Sequence, residues 1–199
     1  MRCRPKDEGQ VLPLYVWAAG AVLFAAFAFF AFAQAAVARN SAQSAADAAA
    51  LAAAQEGRDE LMHNFIAVID GAPLQDWLTG SGITGTGAQQ AAQSLAAFNN
   101  SKVTAVRAVE VDGAPGFRVA VQSLKSVGHT LVPGTEGKFA EAHATAVIQP
   151  RCAADDAEED ADSLSFTCTG GRSFSFDPEK FDPQDLPDSS TLFAVHLAE

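Results

Sequence analysis

The residues that could do chemistry fall into four groups. Gly80-Ser81-Gly82-Ile83-Thr84-Gly85 fits the pattern G-x-G-x-x-G. Such glycines cradle a dinucleotide only when a strand precedes them and a helix follows within a βαβ unit. The preceding Leu74–Leu78 reads as a short helix, so Gly80–Gly87 is expected to be a flexible loop. The run Asp155-Asp156-Ala157-Glu158-Glu159-Asp160-Ala161-Asp162 offers carboxylates of the kind that hard cations prefer. It lacks the spacing and the glycine of a calcium loop, and a solvated acidic loop is the plainer reading. His63, His129, His143 and His196 are far apart, without metal-ligand spacing. No G-x-S-x-G elbow is present. No catalytic residue, cofactor site or metal site is therefore expected, and enzymatic activity is not.

The cysteines form the fourth group. Cys3 precedes a long apolar run, whereas Cys152 and Cys168 follow it at a distance. If the run crosses a membrane, the later pair lies outside, where disulfides persist. Their bond would close a 17-residue loop and contribute about 3 kcal/mol in the chain-entropy model. Two reduced thiols are the alternative.

The element that positions everything else is Val11–Ala33, which contains no charged residue. About 20 apolar residues cross a hydrocarbon core roughly 30 Å thick. Pro13 sits in the first turn, where a missing N–H does no harm. Tyr15 and Trp17 sit where amphipathic rings favour the membrane–water interface. Arg2, Arg4 and Lys6 precede the run, and only Arg39 follows it closely. By the positive-inside rule the N-terminus is cytoplasmic and the bulk of the chain extracytoplasmic. A cleaved signal peptide is the alternative, since Ala31-Phe32-Ala33 resembles a cleavage site. The apolar stretch exceeds the 7–15 residues of a signal core, which favours retention.

Gln34–Gln55 is rich in Ala and has no Gly or Pro, so the helix should continue. Gly57 is the first plausible break. Ala38, Ala42, Ala46, Ala50 and Ala54 lie four apart, on one helix face. Small side chains there let another backbone approach closely, as between partner helices. An Ala-rich spacer is the other reading. Further on, Leu61, Phe65, Ile66 and Ile69 recur at helical spacing.

Gly9-Gln10-Val11-Leu12-Pro13-Leu14 and the later Asn40-Ser41-Ala42-Gln43-Ser44-Ala45-Ala46-Asp47-Ala48-Ala49-Ala50-Leu51-Ala52 resemble the N-terminal region of TadE/TadG-like proteins of Flp (Tad) pilus assembly. The resemblance covers roughly Glu8–Gln55. It implies a membrane-anchored accessory role at a pilus or secretion machine, with pilus-assembly or pilin-like membrane proteins as partners. A homo-oligomer through the helix is a further arrangement it allows. Pilin-like substrates of prepilin peptidase carry Glu five residues after the processed Gly. Here that position is Leu14. Without a carboxylate to neutralise it, a new amine in an apolar bundle would be costly, so pilin-like processing is not expected.

Beyond Gly71, short helices give way to alternating strands. Ala88–Phe98 reads as a helix. Val103–Val111, Phe117–Val121, Ala142–Ile148 and Leu192–Leu197 read as strands, as do the segments around Phe166 and Phe174. In Val103–Val111 the odd positions are apolar except Arg107. Asp177–Ser190 reads as a Pro- and Asp-rich loop. Helices followed by antiparallel strands give an α+β domain, pilin-like in outline. The expected organisation is a cytoplasmic tail at 1–10, a transmembrane helix at 11–33, a helical Ala-rich segment at 34–70 and an exported α+β domain at 71–199. Of the eleven net negative charges, ten arise between Cys152 and Glu199. Such a surface repels phosphates and excludes nucleic acid as a partner. A membrane-tethered extracytoplasmic binding module, unrelated to pili, is the alternative to the pilus reading.

Overall fold

The structure is a computed structural model that describes residues 11–69, 71, 73–126, 137–155 and 163–198. Its first element, α1 (Val11–Ile69), is one helix of 59 residues. At 1.5 Å per residue it is about 88 Å long. It is long and apolar enough to cross a membrane. Two short helices follow, α2 (Leu74–Leu78) and α3 (Ala88–Phe98). Then come β1 (Ser101–Val111), β2 (Ala114–Ser126), β3 (Phe139–Pro150), β4 (Cys152–Ala154), β5 (Leu164–Cys168) and β6 (Arg172–Phe176). The one-turn helix α4 (Ser189–Leu192) leads into β7 (Phe193–Ala198). The fold is α+β.

The strands form two antiparallel sheets, ordered β1-β2-β3-β7 and β4-β5-β6. The C-terminal half of α1 and the helix α3 cover one face of the larger sheet. The sequence explains that packing. Ala42, Ala45, Ala46, Ala49, Ala50, Ala53 and Ala54 are buried on α1, and Ala88, Ala92 and Ala96 on α3. On the sheet, Val119, Val121, Phe117, Ala144, Ala146 and Ile148 point toward them. Methyl side chains on both sides let the helix settle close to the strands.

Gly57 is not a break. The helix runs twelve residues past it. A Cβ at Gly57 would meet the Phe117 ring at 2.8 Å and Ile148 Cδ1 at 3.1 Å. The glycine is there so that α1 can pass over the sheet, and the flanking helix outweighs its propensity cost of about 1 kcal/mol.

β1 departs from simple alternation. A bulge between Val103 and Ala105 shifts its register against β2. One extra residue reverses the alternation downstream. Val106 and Ala108 therefore oppose Val119 and Phe117 on the core face. Ala105, Arg107 and Val109 turn to the opposite face, where Arg107 lies directly across from Arg118.

Beyond Gly57 the buried residues of α1 become large: Leu61, Phe65 and Val68. Phe65 packs against Trp77 (4.6 Å between ring centroids), Phe181 (5.3 Å) and Phe176 (6.0 Å). Trp77 in turn meets Phe193 edge-on at 5.4 Å, and its indole N–H donates to the Leu61 carbonyl at 2.7 Å. This aromatic cluster joins the small sheet to the large one.

Gly116 sets the spacing of the two central strands. A Cβ there would strike the Ala146 carbonyl oxygen and lie 2.9 Å from Val147 Cα. Both are backbone atoms and cannot rotate away. Gly116→Ala is expected to destabilise the fold by about 3 kcal/mol or more, the upper end of overpacking costs. Urea unfolding of the purified chain in detergent checks this, and an unchanged midpoint would refute it.

Candidate functional site

Three surfaces could do work, and each is placed by α1. The first is the helix itself from Val11 to Val37. Its large apolar side chains are exposed, among them Leu14, Trp17, Leu23, Phe24, Phe27, Phe29, Phe30 and Phe32. A helix apolar all round is a membrane span or a buried core helix, and among the described residues nothing covers the most apolar stretch of this one.

The second surface is a groove of about 470 Å³ between the end of α1 and the segment before α4. Met62, Phe65 and Ile66 form one wall, and Phe181, Pro183, Leu186 and Pro187 the other. Asp59, His63 and Asp188 stand at its rim. The His63 Nδ1 lies 2.8 Å from the Asp59 carbonyl, one helical turn back. The wall is built from Asp177–Ser190, which folds into two 3-10 turns, Pro178–Lys180 and Pro183–Asp185. In each, the preceding Asp side chain caps the turn. Asp177 accepts from Glu179 N at 3.0 Å, and Asp182 from Gln184 N at 2.9 Å. Asp177 also pairs with Lys180 at 2.7 Å. The Lys180 hydrogen bond, then the Glu179 amide, hold its carboxyl below the ordinary carboxylate value, and Lys180 is raised in return. Both groups are exposed, so the pair fixes a local shape more than it adds stability.

The third surface is the solvated face of the large sheet, with Arg107, Arg118, Gln122, Glu141, His143 and His196. It includes no group of three or more His, Cys, Asp or Glu able to hold a metal ion, and neither does the rest of the described chain.

The residues singled out from sequence are distributed as follows. Ala42, Ala46, Ala50 and Ala54 are buried beneath this chain's own β2, β3 and α3. Their close approach is used within the chain, so a partner helix is not what covers that stripe. Ala38, half-buried, ends the stripe below the sheet, in a recess shared with Phe30, Val37 and Lys125.

The Gly80–Gly87 loop follows a helix, as expected, but it is tethered. Both carboxylate oxygens of Glu60 hold it, accepting from the Thr84 and Gly85 amides at 3.0 Å each. Gly87 lets Glu56 pass, since a Cβ there would lie 2.6 Å from its carboxylate. The loop is a clasp on α1 and lacks the βαβ setting of a dinucleotide site. His129 and most of the acidic run, Asp156–Asp162, lie outside the described residues.

Cys152 and Cys168 are bonded, and they are register partners in β4 and β5. Thr169 N donates to Arg151 O at 2.7 Å and Asp155 N to Ser165 O at 3.1 Å, continuing the pairing on both sides. The groove escaped the sequence reading. Phe181 and Leu186, isolated apolar residues in a Pro- and Asp-rich stretch, were the signal for it.

Reduction of the disulfide frees a loop with a separation of 16 residues. It is expected to lower the unfolding free energy by about 3 kcal/mol. Urea unfolding with and without a thiol reductant reads this directly; coincident curves would mean that the bond constrains nothing.

Residues 9–56 match the family model described as Putative Flp pilus-assembly TadE/G-like. That match covers about a quarter of the chain and falls on the apolar run and the Ala stripe. No curated protein and no solved structure matches the chain.

Proposed function

We propose that this chain is a single-pass membrane accessory protein of a Tad-type (Flp) pilus-assembly or secretion system. Its N-terminus is cytoplasmic and its α+β domain extracytoplasmic. The observation that carries the reading is where the matched segment falls. Residues 9–56 lie almost entirely on α1 and include its whole apolar stretch. Burial of the Ala stripe inside the chain narrows the mode of action. The surface left for partner helices is the membrane part, around Gly20, Leu23, Phe27 and Phe30.

Docking outside the membrane falls to the domain, with the groove at Met62, Ile66 and Phe181 as its apolar recess. Leu14 argues that the chain is retained as an anchor and is not processed like a major pilin, for the reason of the uncompensated amine. The same groove also supports the second reading, a tethered binding module unrelated to pili. Its acidic rim would favour a partner with an apolar side chain beside a cationic one.

Photo-crosslinking in cells that assemble the pilus separates the two. Probes at Leu23 and Phe27 are expected to capture other pilus-assembly membrane proteins, and a probe at Ala46 only this chain. Capture confined to a probe at Ile66, with none from the membrane positions, would favour the tethered module. A mature N-terminus at Gln10, read by mass spectrometry, would refute retention as an unprocessed anchor.

A further inference from the structure

The end of the domain nearest the membrane carries both grease and positive charge. Starting at Val11, twenty helical residues reach Phe30 and span about 30 Å, the thickness of a hydrocarbon core. Phe30, Ala33, Gln34, Val37 and Ser41 share a recess with Asn100, Ser123, Lys125 and Ser126. The lower end of the large sheet thus stands at the height where α1 leaves the bilayer.

Four large apolar side chains are exposed at that end. Leu95 and Phe98 occupy one face of the last turn of α3, 36% and 85% exposed. Leu124, 55% exposed, is held at the same end by its amide, which donates to Asn100 O, two residues past α3, at 2.8 Å. Phe139, 45% exposed, opens β3 opposite Ser126. One exposed apolar residue needs no explanation, but a group at one end of a domain does.

The charge agrees. The chain has a net charge of −11, yet three of the four lysines after the apolar run are Lys102, Lys125 and Lys138. All three are exposed and lie at this same end. Arg39 is exposed on α1, between Ala38 and Ser41, which line the recess. Glu141, the nearest described carboxylate on β3, accepts from Gln122 at 2.9 Å.

The geometry points to a membrane-surface docking site: Leu95, Phe98, Leu124 and Phe139 dip into the interface of the bilayer that α1 spans, while Lys102, Lys125 and Lys138 bind anionic phospholipid headgroups. Apolar residues flanked by lysines are what an interfacial surface requires. The inference rests on the reading of Val11–Ala33 as a bilayer span. Its test separates the two.

The full chain, with Cys3→Ser, is reconstituted in phosphatidylcholine vesicles with or without phosphatidylglycerol. Single nitroxide labels are placed through Phe98→Cys, Leu124→Cys, Phe24→Cys or Ser175→Cys. Collision with a water-soluble nickel chelate is then measured. Labels at 98 and 124 are expected to lose chelate access in the anionic vesicles and to regain it with Lys102→Gln, Lys125→Gln and Lys138→Gln combined. The label at 175, on the exposed side of β6, should stay accessible throughout.

Access at 98 and 124 equal to that at 175, with 24 shielded, would overturn the docking site and leave the span intact. Access at 24 would overturn the span itself. Equal shielding in neutral vesicles would overturn headgroup recognition. Shielding that grows with the protein-to-lipid ratio would assign the surface to a second copy of the chain and overturn the proposal.

Discussion

The closeness of α1 to the sheet decides the rest of the structure. From Ala42 to Gly57 every fully buried residue of the helix is Ala or Gly, and β3 answers with Ala144 and Ala146. Each methyl buries little area, so no single pair adds much at roughly 25 cal/mol per Å². The gain comes from length: the contact continues for several turns with no gap for water. It also leaves no slack. Phe117, the one large ring beneath this stretch, fits because position 57 has no Cβ.

Further along, the helix face changes from Ala to Leu61 and Phe65, and the space between helix and strands must widen. The aromatic side chains fill it. Phe65 is the pivot, touching Trp77 from α2, Phe176 from β6 and Phe181 just after the first 3-10 turn. The disulfide then locks the small sheet that delivers Phe166 and Phe176. The core thus changes along α1 from methyl groups, where the helix enters the domain, to aromatic rings at its far end. The Asp177–Ser190 segment packs at the aromatic end and forms one wall of the groove.

Much of this was legible from residue patterns. The charge-free run, its continuation through Ala, the positions of α2 and α3, and the strands at Phe117–Val121 and Ala142–Ile148 follow from period and composition. What the sequence did not reveal depends on contacts distant along the chain. Gly57 looks like a helix end unless Phe117, sixty residues later, is known to lie against it. The alternation of β1 reads plainly from Val103 to Val111, and one bulged residue reverses it without any Gly or Pro to mark the place. The Ala stripe signals a tight packing face, but nothing in a stripe says whether the covering surface belongs to the same chain. The Gly80–Gly87 loop looked free because Glu60, which holds it, lies on the other side of the turn in an unremarkable stretch of helix.

The uninterrupted α1 also has a mechanical meaning. A jointed linker would let the domain swivel on its anchor. Here one hydrogen-bonded rod holds both the stretch apolar enough to cross a membrane and a core element of the domain, so the two cannot turn independently. Any tilt or axial rotation of the apolar stretch is imposed on the sheet. The part of α1 beyond Ala33 is 36 residues, about 54 Å, and a tilt of about 20° would carry its far end sideways by roughly 18 Å. Bilayer thickness, by setting that tilt, would then decide where the groove is presented.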